Sequence, residues 1–394
     1  MSGVAPLMPN IVHEVGLTAA DYGIVVAAFG AAKLVANVPC AAIADSYGRR
    51  AAIVGGLTLV AAGYATLPLS ESMLGMAASR AVTGLGATGF VAGCTLVAAD
   101  ISTPLSRGAT TAPLGAAFNT GAIAGPAVGG AFAAIAGPTG CLEMCALSVL
   151  GVAGYAARQI PETRTGALLE AGASPQFGAA ARVMVAKLSK MAVRRPLQRL
   201  GVANWAYWVS LAGVNMTVMP LKLASPDGLA LPPATIGALF AMQAAISVVA
   251  ALPVGALADR IGPERMIAPS LCALGCSNAL LPLAHDITSA AGVMAIAALA
   301  NTVCGGQPTA AAANASEPQD RASALALLRT AGDVGLLCGS ASIGAVASIY
   351  GIDAALYSAG GVLIGSGALF TQLSRSEGAA RAAAAVASSK GVGR

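Results

Sequence analysis

Charge is scarce in this chain: only 10% of its 394 residues are Asp, Glu, Lys or Arg, where soluble domains carry about 25%. So little charge cannot cover a domain with a water-facing surface, which excludes an ordinary soluble protein. Histidine is rarer still. His13 and His285 stand alone, with no cluster of carboxylates or cysteines around them. No metal site, no catalytic residue and no enzyme is therefore expected. No G-x-x-x-x-G-K-[ST] loop is present, so nothing supports ATP-driven work. The net charge of +5 is scattered over loops, and no nucleic-acid partner is expected. The cysteine pairs Cys141/Cys145 and Cys272/Cys276 have no His or carboxylate beside them and read as small packing residues.

What the chain has in abundance is apolar length. Hydrophobic residues make up 56% and glycine contributes 48 residues. Small residues let helices approach closely in lipid. Apolar spans of bilayer-crossing length are read at 19–44, 51–70, 73–99, 108–136, 138–158, 200–222, 233–258, 265–284, 287–313, 322–350 and 352–373. An apolar stump precedes them at Val4–Ile11. The lipid bilayer is the first expected partner.

The few charges are sorted by side. All but four of the 22 Lys and Arg, the exceptions being Lys33, Arg80, Lys222 and Arg329, fall in alternate loops or in the C-terminal tail. The opposite loops hold His13, Glu14, Asp21, Glu71, Asp227, His285, Asp286 and Asp353. The positive-inside rule puts the Arg-rich loops and the C-terminus in the cytoplasm of a multi-pass membrane protein. Residues 159–199 form the one long hydrophilic segment, and Phe177–Val193 suits either a surface-lying helix or a solvated linker. The division expected is a transmembrane bundle over 1–158, a cytoplasmic linker over 159–199, a second bundle over 200–373 and a cytoplasmic tail over 374–394.

The two bundles are copies. Asp45 and Asp259 are 214 positions apart, and the same offset carries Gly23 to Gly237, Pro39 to Pro253, Gly48 to Gly262, Pro104 to Pro318 and Arg107 to Arg321. It also carries Gly121, Gly125 and Gly130 to Gly335, Gly339 and Gly344 without a gap. Internal duplication of a helical bundle is the signature of secondary transporters. The same register maps the span at 200–222 onto positions largely before residue 1, so most of a first helix is expected to be missing.

Four motifs then carry a family resemblance. Ala41–Arg50, with Asp45, Gly48, Arg49 and Arg50, resembles motif A of the major facilitator superfamily, and Gly255, Asp259, Arg260 and Gly262 resemble its second copy. Ala41 and Ser46 depart from the pattern, as does Pro263-Glu264 in place of the second Arg pair. Arg80-Ala-Val-Thr-Gly84 is similar to motif B. Gly121, Gly125, Pro126, Gly129 and Gly130 are similar to motif C. Pro161-Glu162-Thr163-Arg164 is similar to a sequence that often follows the sixth helix. The resemblance implies an all-α integral membrane fold of two pseudo-symmetric six-helix bundles, here with eleven full helices. It points to the drug:proton antiporter branch.

Physical roles follow from position. Asp45 at a helix end can accept from a neighbouring helix's first N–H groups or pair with Arg49 or Arg107, and Asp259 and Arg321 can do this in the second half, as latches that hold one access state. Gly125-Pro126 is expected to kink its helix, and Gly121, Gly125 and Gly129 give one smooth packing face. Ionisable groups inside hydrocarbon are functional candidates. Arg80 and Lys33 are assigned to coupling or to the substrate cavity, or else to structural pairs. Arg329 and Asp333, four residues apart on one helix, are expected to neutralise each other. Trp205 and Trp208 are expected to anchor at an interface. The function expected is proton-coupled export of a small organic solute by a monomer working by alternating access, with the proton gradient and no bound cofactor as its driver. The alternatives are import of an organic anion or other metabolite by symport or facilitation, and, in another class, a non-transporting membrane sensor.

Overall fold

A computed structural model describes residues 15–101, 107–163, 193–226, 228–317 and 321–391, and among these the side chains of Asp45, Arg107, Pro126 and Arg321 fall outside the description. Val4–Ile11 and most of Phe177–Val193 also lie outside the described residues.

Eleven helical rods are present among the described residues. They are α1 Ala19–Tyr47, α2 Arg49–Thr66, α3 Met73–Asp100, α4 at 107–136, α5 at 138–159, and α6 from Arg195 through a π-helical stretch Leu211–Val218 to Ala224. The remainder are α7 Pro233–Ile261, α8 Pro263–Leu280, α9 Ile287–Asn314, α10 Arg321–Tyr350 and α11 Ile352–Gly391. Helices α4 and α5 form one run, Arg107–Gln159, interrupted at Gly137, whose φ of 75° and ψ of 173° leave the helical region. Pro126 lies within the run without such an interruption. Eight stretches are long and apolar enough to cross a membrane by length and composition. Helix α6 starts at Arg195 and α11 continues to Gly391, so helices extend across the boundaries placed at 199 and 373.

The helix ends follow local rules. On the acidic face, α1 begins with a capping box in which Asp21 N–H donates to the Thr18 hydroxyl and Thr18 N–H donates to Asp21. Asp286 and Ser289 do the same for α9. The Ser289 hydroxyl and N–H hold the Asp286 carboxyl below its ordinary range. On the basic face, α1 turns into α2 at Gly48 (φ 103°), and α7 turns into α8 at Gly262 (φ 89°). Both are positions where only glycine is unstrained, and they are 214 apart.

Within the first half, α1 and α2 pack on α3, and α2 packs on the α4–α5 run; within the second, α8 packs on α9 and α11, and α10 on α6. The halves meet along two seams, α1 with α10 and the α4–α5 run with α7. One buried cluster, with Tyr22, Phe29, Tyr64, Ala212 and Leu336, crosses the first seam, whereas others belong to one half. The outside of the bundle is apolar. Ile135 and Leu252 are each 84% exposed, a liability in water and ordinary against lipid.

The seams prove the repeat at atomic level. A Cβ on Gly344 would meet the Ala19 carbonyl oxygen at 2.8 Å and the Gly23 Cα at 2.9 Å. A Cβ on Gly130 would meet the Pro233 carbonyl oxygen at 2.8 Å and the Gly237 Cα at 3.2 Å. Shifting by 214 turns one contact set into the other, so both seams close on the same glycine-to-glycine crossing.

Candidate functional site

Halfway along α1, Lys33 leaves the first half and donates to Asp333 of α10 in the second, with Nζ to Oδ1 at 2.8 Å. The Asn37 amide, one turn on, donates to the other carboxylate oxygen at 2.9 Å. Lys33 stands about 20 Å from the start of α1, too deep for its ammonium to reach an interface. Asp333 is the one buried carboxylate among the described residues. Both of its oxygens are therefore occupied by groups from the opposite half.

This overturns the pairing expected within α10. Arg329 is exposed and Asp333 turns away from it toward α1. The two helices lie close because Gly30 faces Leu336 and Leu337, leaving room for no other side chain there. Packing between halves brings the cation on α1 nearer than its same-helix neighbour, so the four-residue spacing does not decide the partner.

An aromatic row runs beside the pair. The Lys33 ammonium lies 5.8 Å from the Phe29 ring centre and 5.7 Å from that of Trp208. Trp208 is about 20 Å into α6, so it lies at the middle of the bundle and not at the interface expected for it. The Arg80 guanidinium from α3 stands 5.3 Å from the Phe29 ring centre. Its Nε and Nη1 are buried without a hydrogen-bond partner. The structure thus brings Lys33, Arg80 and Asp333 together around Phe29 and leaves Arg329 out.

Tyr22 ties the seam nearer the acidic face. Its hydroxyl donates to the Met216 carbonyl at 2.6 Å, from α1 into the π-helical stretch of α6. In an α-helix that carbonyl would accept from position 220, which is Pro220 and has no N–H. The tyrosine supplies the missing donor.

The basic-face loops use opposite charge logic in the two halves. Helix α2 opens with Arg49 and Arg50 and has no acid in its first turn, an unfavourable charge for a helix N-terminus. Glu162, from the end of the first half, corrects it. Its two oxygens accept from the backbone N–H groups of Arg49 at 2.9 Å and Arg50 at 3.1 Å. The Arg49 side chain donates to Asp100 at 2.9 Å, and the Thr163 hydroxyl donates to the same carboxylate oxygen. A Cβ on Gly48 would strike the Glu162 carboxylate. In the second half the acid is on the loop instead. Glu264 in the first turn of α8 accepts from Arg199 of α6 at 2.6 Å, and Arg199 also donates to Ser374 and lies over Phe370. Pro263-Glu264 is therefore a reversal of charge rather than a loss of the motif.

Of the latch residues, Asp259 and Arg260 are exposed, and Arg260 lines a hollow of about 480 Å³ together with Glu264, Arg265 and Asn314. The Asp45, Arg107 and Arg321 side chains lie outside the described residues, so the two predicted latches are not resolved as contacts. Gly255 has open space beside it. In motif C, Gly129 and Gly130 are buried and Gly125 is half-buried, whereas Gly121 is exposed. The close crossing seen among the described residues is made by Gly130. Asn37 is legible in the sequence as a polar residue able to bond between helices, but not as the partner of Asp333; sequence reasoning missed the cap made by Glu162 and the Arg49–Asp100 ion pair. The signal for Glu162 was available: a helix N-terminus carrying two arginines and no acid of its own.

Glu162→Ala should lower stability by about 1–3 kcal/mol, since it strips acceptors from two helix-start N–H groups. Thermal unfolding in detergent checks this. Glu162→Gln should fall between, and an unchanged transition for Glu162→Ala would refute the capping role.

The major facilitator superfamily model matches residues 1–225 and 203–389. Quinolone resistance protein NorA of Staphylococcus aureus (strain Mu50 / ATCC 700699) is 29% identical over 132 residues, 34% of either chain. The match spans about a third of the length of that curated relative. Among solved structures, a bacterial homologue of the human lysosomal transporter Spinster, inward-facing and unoccupied, superposes with a TM-score of 0.76 at 15% identity, covering 95% of this chain and 93% of that one. The human organic anion transporter MFSD10 superposes with a TM-score of 0.62 at 22% identity, covering 88% and 83%. These structural likenesses establish the fold.

Proposed function

The chain belongs to the major facilitator superfamily, and on that footing we propose that it is a secondary transporter exporting a small organic solute in exchange for protons by alternating access. It is a multi-pass integral membrane protein with a fold of two pseudo-symmetric halves. The reading rests on one observation, the Lys33–Asp333 ion pair that bridges the halves at mid-depth.

Asp333 is the proton carrier in this reading. Ionised, it accepts from Lys33 and Asn37 and holds α10 against α1. Protonated, it loses its attraction for the ammonium, and the seam that it clamps is free to open. Lys33 keeps the partial compensation of the Phe29 and Trp208 rings. Proton binding is thereby coupled to the rocking of one half against the other. The close approaches of the halves, among the described residues, run from Gly23 and Gly344 near the acidic face to Asn37 and Asp333. That supports a state closed on the acidic side, with the basic face and the C-terminal tail toward the cytoplasm. The partial likeness to NorA supports export and gives a quinolone as the first solute to try. The chain acts as a monomer with protons as coupling ion.

Proteoliposomes test this with norfloxacin as the probe. With an acidic lumen and alkaline medium, norfloxacin should accumulate inside, and nigericin should abolish the accumulation. Uptake driven by an acidic medium would instead indicate symport. Failure of any pH gradient to move norfloxacin or other solutes in a broad panel would favour a non-transporting sensor.

A further inference from the structure

The first half ends with an unmet demand of one sign. Its buried polar atoms without a partner are Arg80 Nε, Arg80 Nη1 and the Tyr64 hydroxyl. The two guanidinium atoms only donate, and the phenol can donate or accept. No described carboxylate is bonded to any of the three. The other cation beside Phe29 is already satisfied, because Lys33 is bonded to Asp333 at 2.8 Å. Arg80 is left without a counter-ion among the described residues.

The guanidinium is nonetheless held in place. It lies over Phe29 at 5.3 Å, and α2 meets α3 one residue before Tyr64 and one before Arg80, where a Cβ on Gly63 would meet the Ser79 carbonyl oxygen at 2.8 Å. Tyr22 is committed to the Met216 carbonyl; Tyr64 is not committed to anything. A fixed cation beside a free hydroxyl, in a low-dielectric setting, is costly to leave empty and well matched to an oxyanion with several lone pairs. The Phe29 and Trp208 rings that flank Lys33 continue the row with apolar, planar surface.

We propose that the transported solute is a monovalent organic acid with a planar apolar body, its carboxylate bound by Arg80 and Tyr64. The proposal rests on the transporter reading above and narrows it to a substrate charge. One charge is specified because Arg80 is the cation beside Phe29 that lacks a partner among the described residues; a dianion would have to break the Lys33–Asp333 pair. An inside-negative membrane potential also drives an anion outward, in the direction of export.

Isothermal titration of the full chain in detergent, with three probes of one shape, decides the matter: 2-naphthoate, 2-naphthamide and (2-naphthylmethyl)ammonium. Naphthoate should bind at least about tenfold tighter than the amide, the usual worth of a hydrogen bond to a charged group, and the ammonium should not bind. Arg80→Gln should weaken naphthoate by about tenfold or more. Tyr64→Phe, which removes only the hydroxyl, should weaken it by about three- to tenfold. No heat with naphthoate, an amide or ammonium that binds as tightly, or unchanged affinity in Arg80→Gln overturns the proposal. The ranking of probes on the unaltered chain does not depend on any variant folding. No pH gradient is applied, so anion selectivity can fail while proton-driven norfloxacin transport survives, and the reverse.

Discussion

Asp333→Asn is expected to abolish proton-driven transport, by about a hundredfold or more, while the protein still inserts and can be purified. Asparagine keeps the size of the side chain and an oxygen for the Asn37 amide, and it removes the charge. The Lys33 ammonium, whose side chain is 16% exposed, then has no counter-ion among the described residues. Breaking one partner of a buried pair costs about 3–5 kcal/mol, which is about two to three and a half powers of ten in the population of any state that needs the pair. A cycle that must pass through that state slows by the same factor. The variant also removes the one buried carboxylate among the described residues, so the gradient loses its handle on the seam.

The double variant Lys33→Met with Asp333→Leu separates structure from coupling. An apolar pair of similar volume is often as stable as the buried ion pair it replaces. The double variant should therefore regain the thermal stability lost in Asp333→Asn and remain inactive under a pH gradient. Norfloxacin accumulation in acid-loaded proteoliposomes is the measurement. Wild-type accumulation in Asp333→Asn would remove Asp333 from the coupling step.

Lys33 and Asp333 could both be picked out from the sequence, because a charge inside a 20-residue apolar span is visible by hydropathy alone. Their partnership could not. A four-residue rule sees only one helix, and it offered Arg329; the true partner is 300 positions away and is chosen by how two halves dock. The same limit applies to Trp208, whose depth depends on where α6 starts. Arg195, and not residue 200, opens that helix, which moves the indole toward the centre. The spans, the break beside Gly137 and the 214-residue register were legible, since they rest on hydropathy, glycine placement and identities at Pro, Asp and Arg. The reversed clamp at Glu264 showed in the sequence only as a departure from a motif. Its meaning needed Arg199, which belongs to a different helix.

Leucine at Gly23 or Gly344 is expected to stop transport by keeping the acidic side from closing. A Cβ at Gly23 already collides with the Ser340 carbonyl, and one at Gly344 meets the Ala19 carbonyl at 2.8 Å. These neighbours are backbone, so no side chain can rotate out of the way. Overpacking a tight contact costs about 1–3 kcal/mol even where side chains can yield. Two α-helices that cross at glycine can relieve it only by moving apart. The register makes the prediction stricter, because Gly130 and Gly237 form the equivalent crossing on the second seam. Leucine at Gly130 should have an effect of similar size, at least about tenfold on transport. Leu69 and Leu283 are 214 apart, exposed, and sit on acidic-face loops of opposite halves, so spin labels placed there report the opening between the halves. The distance between them should lengthen in Gly23→Leu and in Gly130→Leu, and remain unchanged in Gly292→Leu, where nothing lies within 4 Å of the added carbon. Closure that needs both crossings must respond to both substitutions. A response to only one would mean that a single seam carries the gate and the other is packing.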